Sequence, residues 1–247
     1  MLGGANIAFI VDAADFDGTN DYMLRGAELT GMADSKSGIA SVWFRLDGGD
    51  SSDLYALGNL TSEAPNGFGV SRQNTNKFAV WGVNAAGTKI LHLRTINTYT
   101  TGNTWRHVLA SWDLATAGAR HLYINDVSNL DVITFINDTL DYTKGEFSCG
   151  SNAAGANKMN GALAEVYFAP GQYLDFSVEA NRRKFISASG KPVNLGTDGS
   201  TPTGVAPIVY FYLGDGDTVA NFATNRGTGG NFTITGTLDA ASSSPSD

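Results

Sequence analysis

The sequence predicts an all-β protein, a sandwich or barrel of short antiparallel strands, and three observations support this prediction. Short apolar runs rich in β-branched and aromatic residues recur along the 247 residues. Clusters of Gly, Asn, Asp and Ser separate these runs and are typical of turns. Only 16% of the residues are charged, below the ~25% of an average globular domain. This composition suits many short strands joined by turns.

The clearest element is a hairpin near the middle of the chain. Residues 104–112 and 119–124 are two β-type runs, and a small-residue turn at residues 113–118 separates them. Similar runs on both sides extend the prediction to a sandwich or barrel. The predicted strands cover residues 7–11, 22–24, 38–46, 54–57, 67–71, 77–83, 89–94, 104–112, 120–124, 132–135, 145–149, 162–168, 208–213 and 232–234.

One segment, residues 177–188, has the pattern of a short helix. Ser177 is a suitable cap, Glu179 suits the positive end of the helix dipole, and Gly190 is able to end the helix. We expect the apolar side of this helix to pack on the edge of the sandwich.

The domain organisation is predicted to be simple. The length suits one large all-β domain, and a hydrophobic content of 42% is enough for a sizeable core. The sequence shows no strong internal repeat and no shift in composition, so residues 1–236 are predicted to form one domain. Residues 237–247 form a Ser-rich tail, which we expect to be disordered unless a partner holds it.

The charge and the hydropathy pattern restrict the partners. A net charge of -8 would repel phosphate backbones and anionic membrane surfaces, so nucleic acid is not expected as a partner. No run approaches the ~20 apolar residues of a membrane span. The first residues lack a basic region, and their apolar run is shorter than a signal-peptide core of about 7–15 residues. We therefore expect synthesis in a cytoplasm, without classical export or membrane insertion.

The cysteine and the histidines do not indicate a catalytic site. Cys149 is the only cysteine, so an intrachain disulfide is excluded and the residue is predicted to be a small strand residue. His92, His107 and His121 face no G-x-S-x-G nucleophile motif and lack the spacing of zinc ligands. We expect structural roles for all three.

Five motifs, taken in order, resemble a known family. They are FDGTNDY (16–22), GIASVWFRL (38–46), NTWRHVLASWD (103–113), RHLYIND (120–126) and MNGALAEVYFAPG (159–171). This set resembles laminin-G-like, concanavalin-A-like lectin and glucanase domains. The resemblance implies a jelly-roll sandwich of two antiparallel sheets. Members of this family are lectins, adhesion modules, glycosidases and structural modules, so the fold alone does not define the function.

The second half of the chain extends the resemblance. The stretches YLDFSVEANRRKFISASGKPVNLGTDGSTPTGVAPIVYF and NRGTGGNFTITGTLDAASSSPS are similar to versions of this domain that bacteriophages and prophages encode. This similarity implies a particle protein, which agrees with the missing export signal and the missing disulfide.

The glutamates argue against an enzyme. Glycoside hydrolysis needs two carboxyl groups about 5–10 Å apart, and the glucanases of the family take them from one Glu-x-Asp-x-(x)-Glu strand. That motif is absent here, and the nearest pair in sequence, Glu165 and Glu179, is too widely separated to share a strand. We expect Glu165 to be a structural carboxyl group. A catalytic pair assembled from distant aspartates stays open.

The aspartates are compatible with calcium, since hard cations need several converging oxygens. The preferred candidate site is the cluster of Asp47, Asp50 and Asp53. The same residues also occur in ordinary turns, where their side chains bind the local backbone, and none matches the EF-hand spacing. Apart from this possible calcium, no cofactor is expected. Similar clusters are formed by Asp15, Asp17, Asn20 and Asp21 and by Asp215 and Asp217.

Glycan binding typically needs an exposed aromatic ring beside a polar side chain. Trp81 with Asn84 and Tyr99 with Asn97 are the best candidates, because both pairs lie next to polar turns. The alternative for Trp81 is packing in the core as part of FAVWGV. The remaining tryptophans lie in long apolar runs and are predicted to be core residues. They are Trp43, Trp105 and Trp112.

The leading functional prediction is a non-enzymatic protein of the virion surface, a capsid decoration or tail-associated module. Its partners would be a phage capsid or tail protein and a host-surface glycan, after synthesis in the cytoplasm of a bacterial host. A homo-oligomer, with a trimer as the specific expectation, suits such a setting. The alternative is a lectin-like carbohydrate-binding module. A third interpretation, a diverged glycoside hydrolase, would need distant carboxylates that converge in a cleft.

Overall fold

The computed structural model describes residues 9–59, 67–143 and 145–247. Two antiparallel sheets pack face to face, which confirms the predicted all-β sandwich. Sheet I contains β1 (Ala14–Asp17), β3 (Ser37–Leu46), β8 (Gly102–Asp113), β9 (Arg120–Ile124), β10 (Val127–Ser128), β13 (Asn160–Pro170), β14 (Val209–Tyr212) and β16 (Asp239–Ala240). Sheet II contains β2 (Tyr22–Arg25), β4 (Leu54–Gly58), β5 (Phe68–Arg72), β6 (Phe78–Val83), β7 (Lys89–Thr95), β11 (Leu130–Phe135), β12 (Phe147–Cys149) and β15 (Thr233–Thr235).

The strand order is non-sequential in both sheets. Sheet I follows the order β10-β9-β8-β3-β13-β1-β16, and β14 pairs with another part of the long strand β13. Sheet II follows the order β11-β7-β6-β5-β4-β12-β2-β15. The last three strands of the chain therefore belong to both sheets. β14 and β16 lie in sheet I, next to β13 and β1, and β15 lies in sheet II, next to β2.

The main core fills the space between the sheets and is rich in aromatic rings. Phe68 of sheet II stacks on Phe168 of sheet I with a centroid distance of 4.5 Å. The indole of Trp112 donates a hydrogen bond of 3.1 Å to the hydroxyl of Tyr142, and that hydroxyl donates to the carbonyl of Ser37. Each buried ring of this size contributes about 1.5–3 kcal/mol relative to exposure, and the polar tips are satisfied.

The predicted central hairpin is present. Strands β8 and β9 pair in antiparallel register from Val108 opposite Ile124 to Trp112 opposite Arg120. Asp113 closes the turn because its carboxylate accepts a hydrogen bond of 3.0 Å from the backbone of Ala115.

The start of the chain differs from the prediction. No strand covers residues 9–11, and residues 7–8 lie outside the described part. The first strand is β1, which the sequence did not indicate. Val11 and Ala13 are instead buried against the outer face of sheet I, while Asp12 forms an isolated bridge with Leu213. Val11 is thus buried by packing on a sheet rather than by joining one, whereas Ile10 stays exposed.

The predicted helix at residues 177–188 is wrong in length. Only α1 (Glu179–Arg182) is helical, and Ser177 hydrogen-bonds to Asp175 instead of capping the helix. Ile186 forms a bridge with Pro192, so the chain turns back at the point where the helix was expected to continue. A 3₁₀-helix at Val219–Ala223 was not predicted.

Two segments cover the outer face of sheet I. Residues 171–206 bury Phe176, Phe185 and Leu195 against rings of β13 and β14. Residues 239–247, the serine segment, lie across the other part of this face. The expected disorder of the tail is replaced by specific contacts, because the β16 strand pairs with β1 and Arg45 donates to the hydroxyl groups of two serines.

The helices are short. Within the described residues, none is long and apolar enough to cross a membrane.

Candidate functional site

Trp81 lies on the outer face of sheet II, outside the main core. Its neighbours on β6 alternate, so Phe78 and Val80 enter the main core, whereas Trp81 packs with Tyr55 in a separate cluster. The ring is only 6% exposed, and the ammonium group of Lys89 lies 4.9 Å from its centroid. Trp81 is therefore buried without belonging to the core between the sheets.

Asn84 does not add an available polar group beside Trp81. Its amide nitrogen donates to a carboxylate oxygen of Asp138 at 2.8 Å, and its amide oxygen accepts from the backbone of Thr88. The amide oxygen thus holds the β6–β7 turn, and the amide nitrogen ties this turn to the loop after β11. This predicted pair offers no open aromatic ring in the present conformation.

The second predicted pair is also part of the framework. Tyr99 belongs to the main core, packs on Phe78 and is 7% exposed. Its hydroxyl accepts a hydrogen bond of 2.8 Å from the amide of Asn129. The backbone of Asn97 donates to the same Asn129 side chain. These contacts join the β7–β8 connection to the loop before β11.

The predicted calcium ligands do not converge. Asp47 forms a two-pronged contact with Arg45, with distances of 2.9 and 2.6 Å. Asp50 accepts a hydrogen bond from the backbone of Thr101, and Asp53 accepts one from the backbone of Asn74. Across the described ranges, no group of three or more His, Cys, Asp or Glu residues is arranged to hold a metal ion.

The cysteine and two of the histidines are buried. Burial raises the pKa of the Cys149 thiol, which leaves it unreactive. Burial lowers the pKa of His107 to about 3, and its Nε2 lies 2.7 Å from the hydroxyl of Ser41. Burial also lowers the pKa of His92 to about 4. Neutral imidazoles locked in strands suit structural roles.

Glu165 is an acid with an unusual environment. It is fully buried on the outer face of sheet I, beneath the segment of residues 171–206. One carboxyl oxygen accepts a hydrogen bond of 3.1 Å from the hydroxyl of Tyr210, and the other has no partner among the described residues. Burial raises the pKa of Glu165 to about 8. The group is protonated at neutral pH, but solvent and substrate have no access to it.

A more open site lies at the end of β14. This cavity of about 440 Å³ is the Tyr212 pocket. Its volume is within the range of about 300–1,000 Å³ of small-molecule sites. The lining residues are Phe9, Ile10, Asn194, Tyr212, Gly214, Asp215, Asp217 and Arg226.

The aromatic wall of the pocket is held in place from several sides. Tyr210 stacks on Tyr212 with a centroid distance of 5.0 Å, and the guanidinium of Arg226 lies 4.2 Å from the Tyr212 centroid. Arg226 also pairs with Asp217 at 2.5 Å. Asp217 in turn accepts from the backbone of Gly214 at 2.8 Å, so the loop after β14 is tied to the ring.

Two further polar groups of the pocket retain hydrogen-bonding capacity. Asp215 is exposed and makes no hydrogen bond or ion pair with the residues that the structure describes. Asn194 uses its amide oxygen to accept from Gly196, which leaves its amide nitrogen unpaired within the same ranges. The pocket therefore combines an aromatic ring, a free carboxylate and a free amide donor.

The residue pattern indicated Asp215 and Asp217 only as a possible calcium cluster, and it did not indicate Tyr212 or Arg226. The available signal was the alternation of two tyrosines immediately before a Gly-Asp turn, at residues 210–217. Asn194 and Phe9 gave no signal, because only the fold brings them to this place.

The two packed antiparallel sheets define the class of the protein as a jelly-roll β-sandwich. The profile of one family, the concanavalin A-like lectin/glucanases superfamily, matches residues 17–171. The chain belongs to this superfamily, as its ordered motifs indicated. The matched part contains most strands of both sheets but ends before β14 and the residues that close the Tyr212 pocket.

Two solved structures share this fold. A protein from Bacteroides ovatus that is provisionally described as carbohydrate-binding has a TM-score of 0.63 and 16% identity, and the match covers 98% of this chain and 64% of that one. A heptameric SAP-like pentraxin from Limulus polyphemus has a TM-score of 0.50 and 13% identity, with coverages of 84% and 93%. This chain thus spans about 64% of the length of the Bacteroides protein. A search of curated sequences finds no match.

Neither relative is described as a virion protein. The virion-surface role, its capsid or tail partner, the bacterial host and the trimer therefore stay predictions from the sequence.

Proposed function

We propose that this chain is a carbohydrate-binding domain without hydrolytic activity, and that the Tyr212 pocket holds the sugar. The observation that carries the proposal is the convergence of an aromatic ring, a free carboxylate, a free amide and a guanidinium in one open pocket of about 440 Å³. The description of the Bacteroides relative as carbohydrate-binding agrees with it.

The chemistry of the pocket suits a sugar ring. Sugars present apolar C–H groups on one side and hydroxyl groups at the edge, so they need an aromatic surface and directional polar partners. Asp215 is able to accept from two adjacent hydroxyls, and a charged acceptor strengthens such bonds. Asn194 supplies a donor. Because Tyr212 is held by Arg226 and Tyr210, little ordering is required when a ligand binds.

The absence of hydrolysis is part of the proposal. A glycosidase needs an accessible carboxylic acid with a raised pKa beside a second carboxylate. Glu165 has the raised pKa but is fully buried. Asp217 is accessible but is paired with Arg226. These facts favour binding over turnover.

The test is a glycan array followed by calorimetry with the neutral saccharide that binds best. Tyr212→Ala is expected to weaken binding about tenfold or more, since the pocket loses its aromatic side and Arg226 loses the ring that it packs on. Asp215→Asn is expected to weaken it about fivefold without a change in the melting temperature, because the side chain is exposed. No reducing sugar is expected on prolonged incubation with the bound saccharide.

Tyr22→Ala is the matched control, because Tyr22 is also a partly buried strand tyrosine with a cation, Lys158, near its ring. It lies in sheet II and is expected to leave affinity unchanged. A saccharide whose binding survives Tyr212→Ala and Asp215→Asn but is lost in Trp81→Phe would place the sugar on sheet II and contradict the proposed site.

A further inference from the structure

The Tyr212 pocket does not end at its own lining. A second cavity of about 350 Å³ shares Asp217 with it. A third cavity of about 290 Å³ shares Ser244 and Asp247 with the second. Shared lining residues mean that the three cavities are neighbours. Together they form a chain of depressions, the outer-face track, which follows the serine segment across sheet I.

The far end of the track has its own aromatic wall. Trp43 and Trp105 line the third cavity together with Asn125 and Lys191. The indole nitrogen of Trp43 is buried and has no partner among the described residues. Trp43 also stacks on His107 with a centroid distance of 4.6 Å, which fixes the ring. This end therefore repeats the combination of aromatic rings and polar groups found at the Tyr212 end.

The serine segment, which lies between the two ends of the track, is held on sheet I by several hydrogen bonds. Arg45 donates to the hydroxyls of Ser242 and Ser243 at 3.1 and 2.9 Å, and the indole of Trp105 donates to Ser243 at 3.1 Å. Ser246 accepts from the backbone of Val11 at 2.9 Å. These bonds mean that the track is a preformed surface, which lowers the cost of binding a long ligand.

The charges along the track oppose an anionic ligand. Asp12, Asp215 and Asp247 line it without a strong ion pair in the described ranges, whereas Arg226 is already neutralised by Asp217. Lys191 is the one cation of the third cavity among the residues described. The protein as a whole carries a net charge of -8, which adds to the repulsion of anions.

We infer that the outer-face track binds a neutral oligosaccharide of several units, with one end at Tyr212 and the other at Trp105. This inference rests on the proposed function and extends it from a single sugar to a chain. Each additional sugar unit that contacts the preformed track adds binding free energy without a further loss of rigid-body freedom. Affinity therefore increases with chain length.

The experiment measures affinity by calorimetry for neutral malto-, cello-, manno- and arabino-oligosaccharides of one to six units, with oligogalacturonides as the anionic series. For the neutral series that binds, we expect a gain of about tenfold or more between one and six units. Oligogalacturonides are expected to bind about tenfold more weakly than a neutral chain of equal length.

Two variants at the Trp105 end test whether this end of the track is responsible for the gain in affinity with chain length. Trp105→Ala is expected to remove the gain for long chains while monosaccharide affinity stays within about twofold, whereas Tyr212→Ala weakens both. Lys191→Ala is the second variant, since its ammonium group makes no hydrogen bond or ion pair with the described residues. It is expected to reduce only the long-chain affinity, by about threefold.

The outcomes separate this inference from the proposed function. Affinity that is independent of chain length, or a length gain that survives both Trp105→Ala and Lys191→Ala, overturns the track and leaves the Tyr212 pocket as a single-sugar site. Tighter binding of oligogalacturonides overturns the neutral ligand class. Failure of every saccharide to bind the wild-type protein overturns the proposed function itself, and the track with it.

Discussion

Replacing Glu165 with glutamine is expected to stabilise the protein progressively as the pH rises from 5 to 8. The carboxyl group is fully buried, and burial raises its pKa to about 8 from the usual 4.5. In the folded state the carboxyl group stays protonated up to about pH 8, whereas in the unfolded state it ionises above about pH 4.5. The folded state is therefore favoured most below pH 4.5, and this contribution is lost as the pH rises towards 8.

The expected size of this effect is large for one side chain. At 1.36 kcal/mol per unit of pKa shift, the difference in unfolding free energy between the variant and the wild type grows by roughly 3–5 kcal/mol over this range. The difference levels off about one pH unit above this pKa, near pH 9. Glutamine retains an acceptor for the hydroxyl of Tyr210 and cannot ionise. Urea unfolding of both proteins at pH 5, 6, 7, 8 and 9 measures the difference.

Two controls isolate the contribution of Glu165. His92 and His107 act in the opposite direction, because burial lowers the pKa of both groups and their stability contribution is lost as the pH falls below 6.5. They are common to both proteins and cancel in the difference. Glu28→Gln is the matched variant, since this glutamate is exposed and its side chain makes no hydrogen bond or ion pair with the residues that the structure describes. A constant difference between Glu165→Gln and the wild type across the range would refute the prediction.

Gly161→Ala is expected to cost more than about 3 kcal/mol of unfolding free energy or to prevent folding. Gly161 begins the pairing of β13 with β3, opposite Leu46, and has a φ of 136°. A Cβ atom there would overlap the carbonyl oxygen of Arg45 and lie 2.9 Å from the backbone nitrogen of Asp47. Both obstacles are backbone atoms in the middle of sheet I, so neither is able to move aside cheaply.

The matched control is Gly102→Ala, at the start of β8. A Cβ atom at that position meets nothing within 4 Å, and the backbone is not in the left-handed region. Its effect on stability is expected to stay within about 0.5 kcal/mol. Equilibrium unfolding in urea compares the two variants with the wild type. A loss below 1 kcal/mol for Gly161→Ala would show that β13 and β3 have room to separate at this point.

Residue patterns predicted the strands well and the helix poorly, for a physical reason. Strands such as β8 and β9 have a period of two and are bounded by turn residues, so their signal is local. The segment at residues 177–188 has helical spacing, but Phe185 and Ile186 are buried in two different clusters. After α1 the chain turns back, and Ile186 forms a bridge with Pro192. The helix therefore ends through contacts that no local pattern indicates.

The candidate site was less predictable than the fold. The Tyr212 pocket combines residues 9–10, 194, 212, 214–215, 217 and 226, and no spacing rule connects such distant positions. Trp81 shows the converse problem. Every residue of β6 is buried, so alternation of polar and apolar residues was absent, and the sequence offered no means of distinguishing the outer face from the core.

The last strands of the chain have a practical consequence for any attempt to isolate the superfamily-matched part. Residues 17–171 carry the family signature, yet β2 pairs with β15, and β13 pairs with β1 and β14. These three partner strands lie outside the matched region except for Asp17. A fragment trimmed to the matched region would therefore present two bare strand borders, and the rings of β13 would lose the cover supplied by Phe176 and Phe185. Unpaired edge strands readily add a strand from another molecule. The folded domain is therefore longer than the region that matches the superfamily.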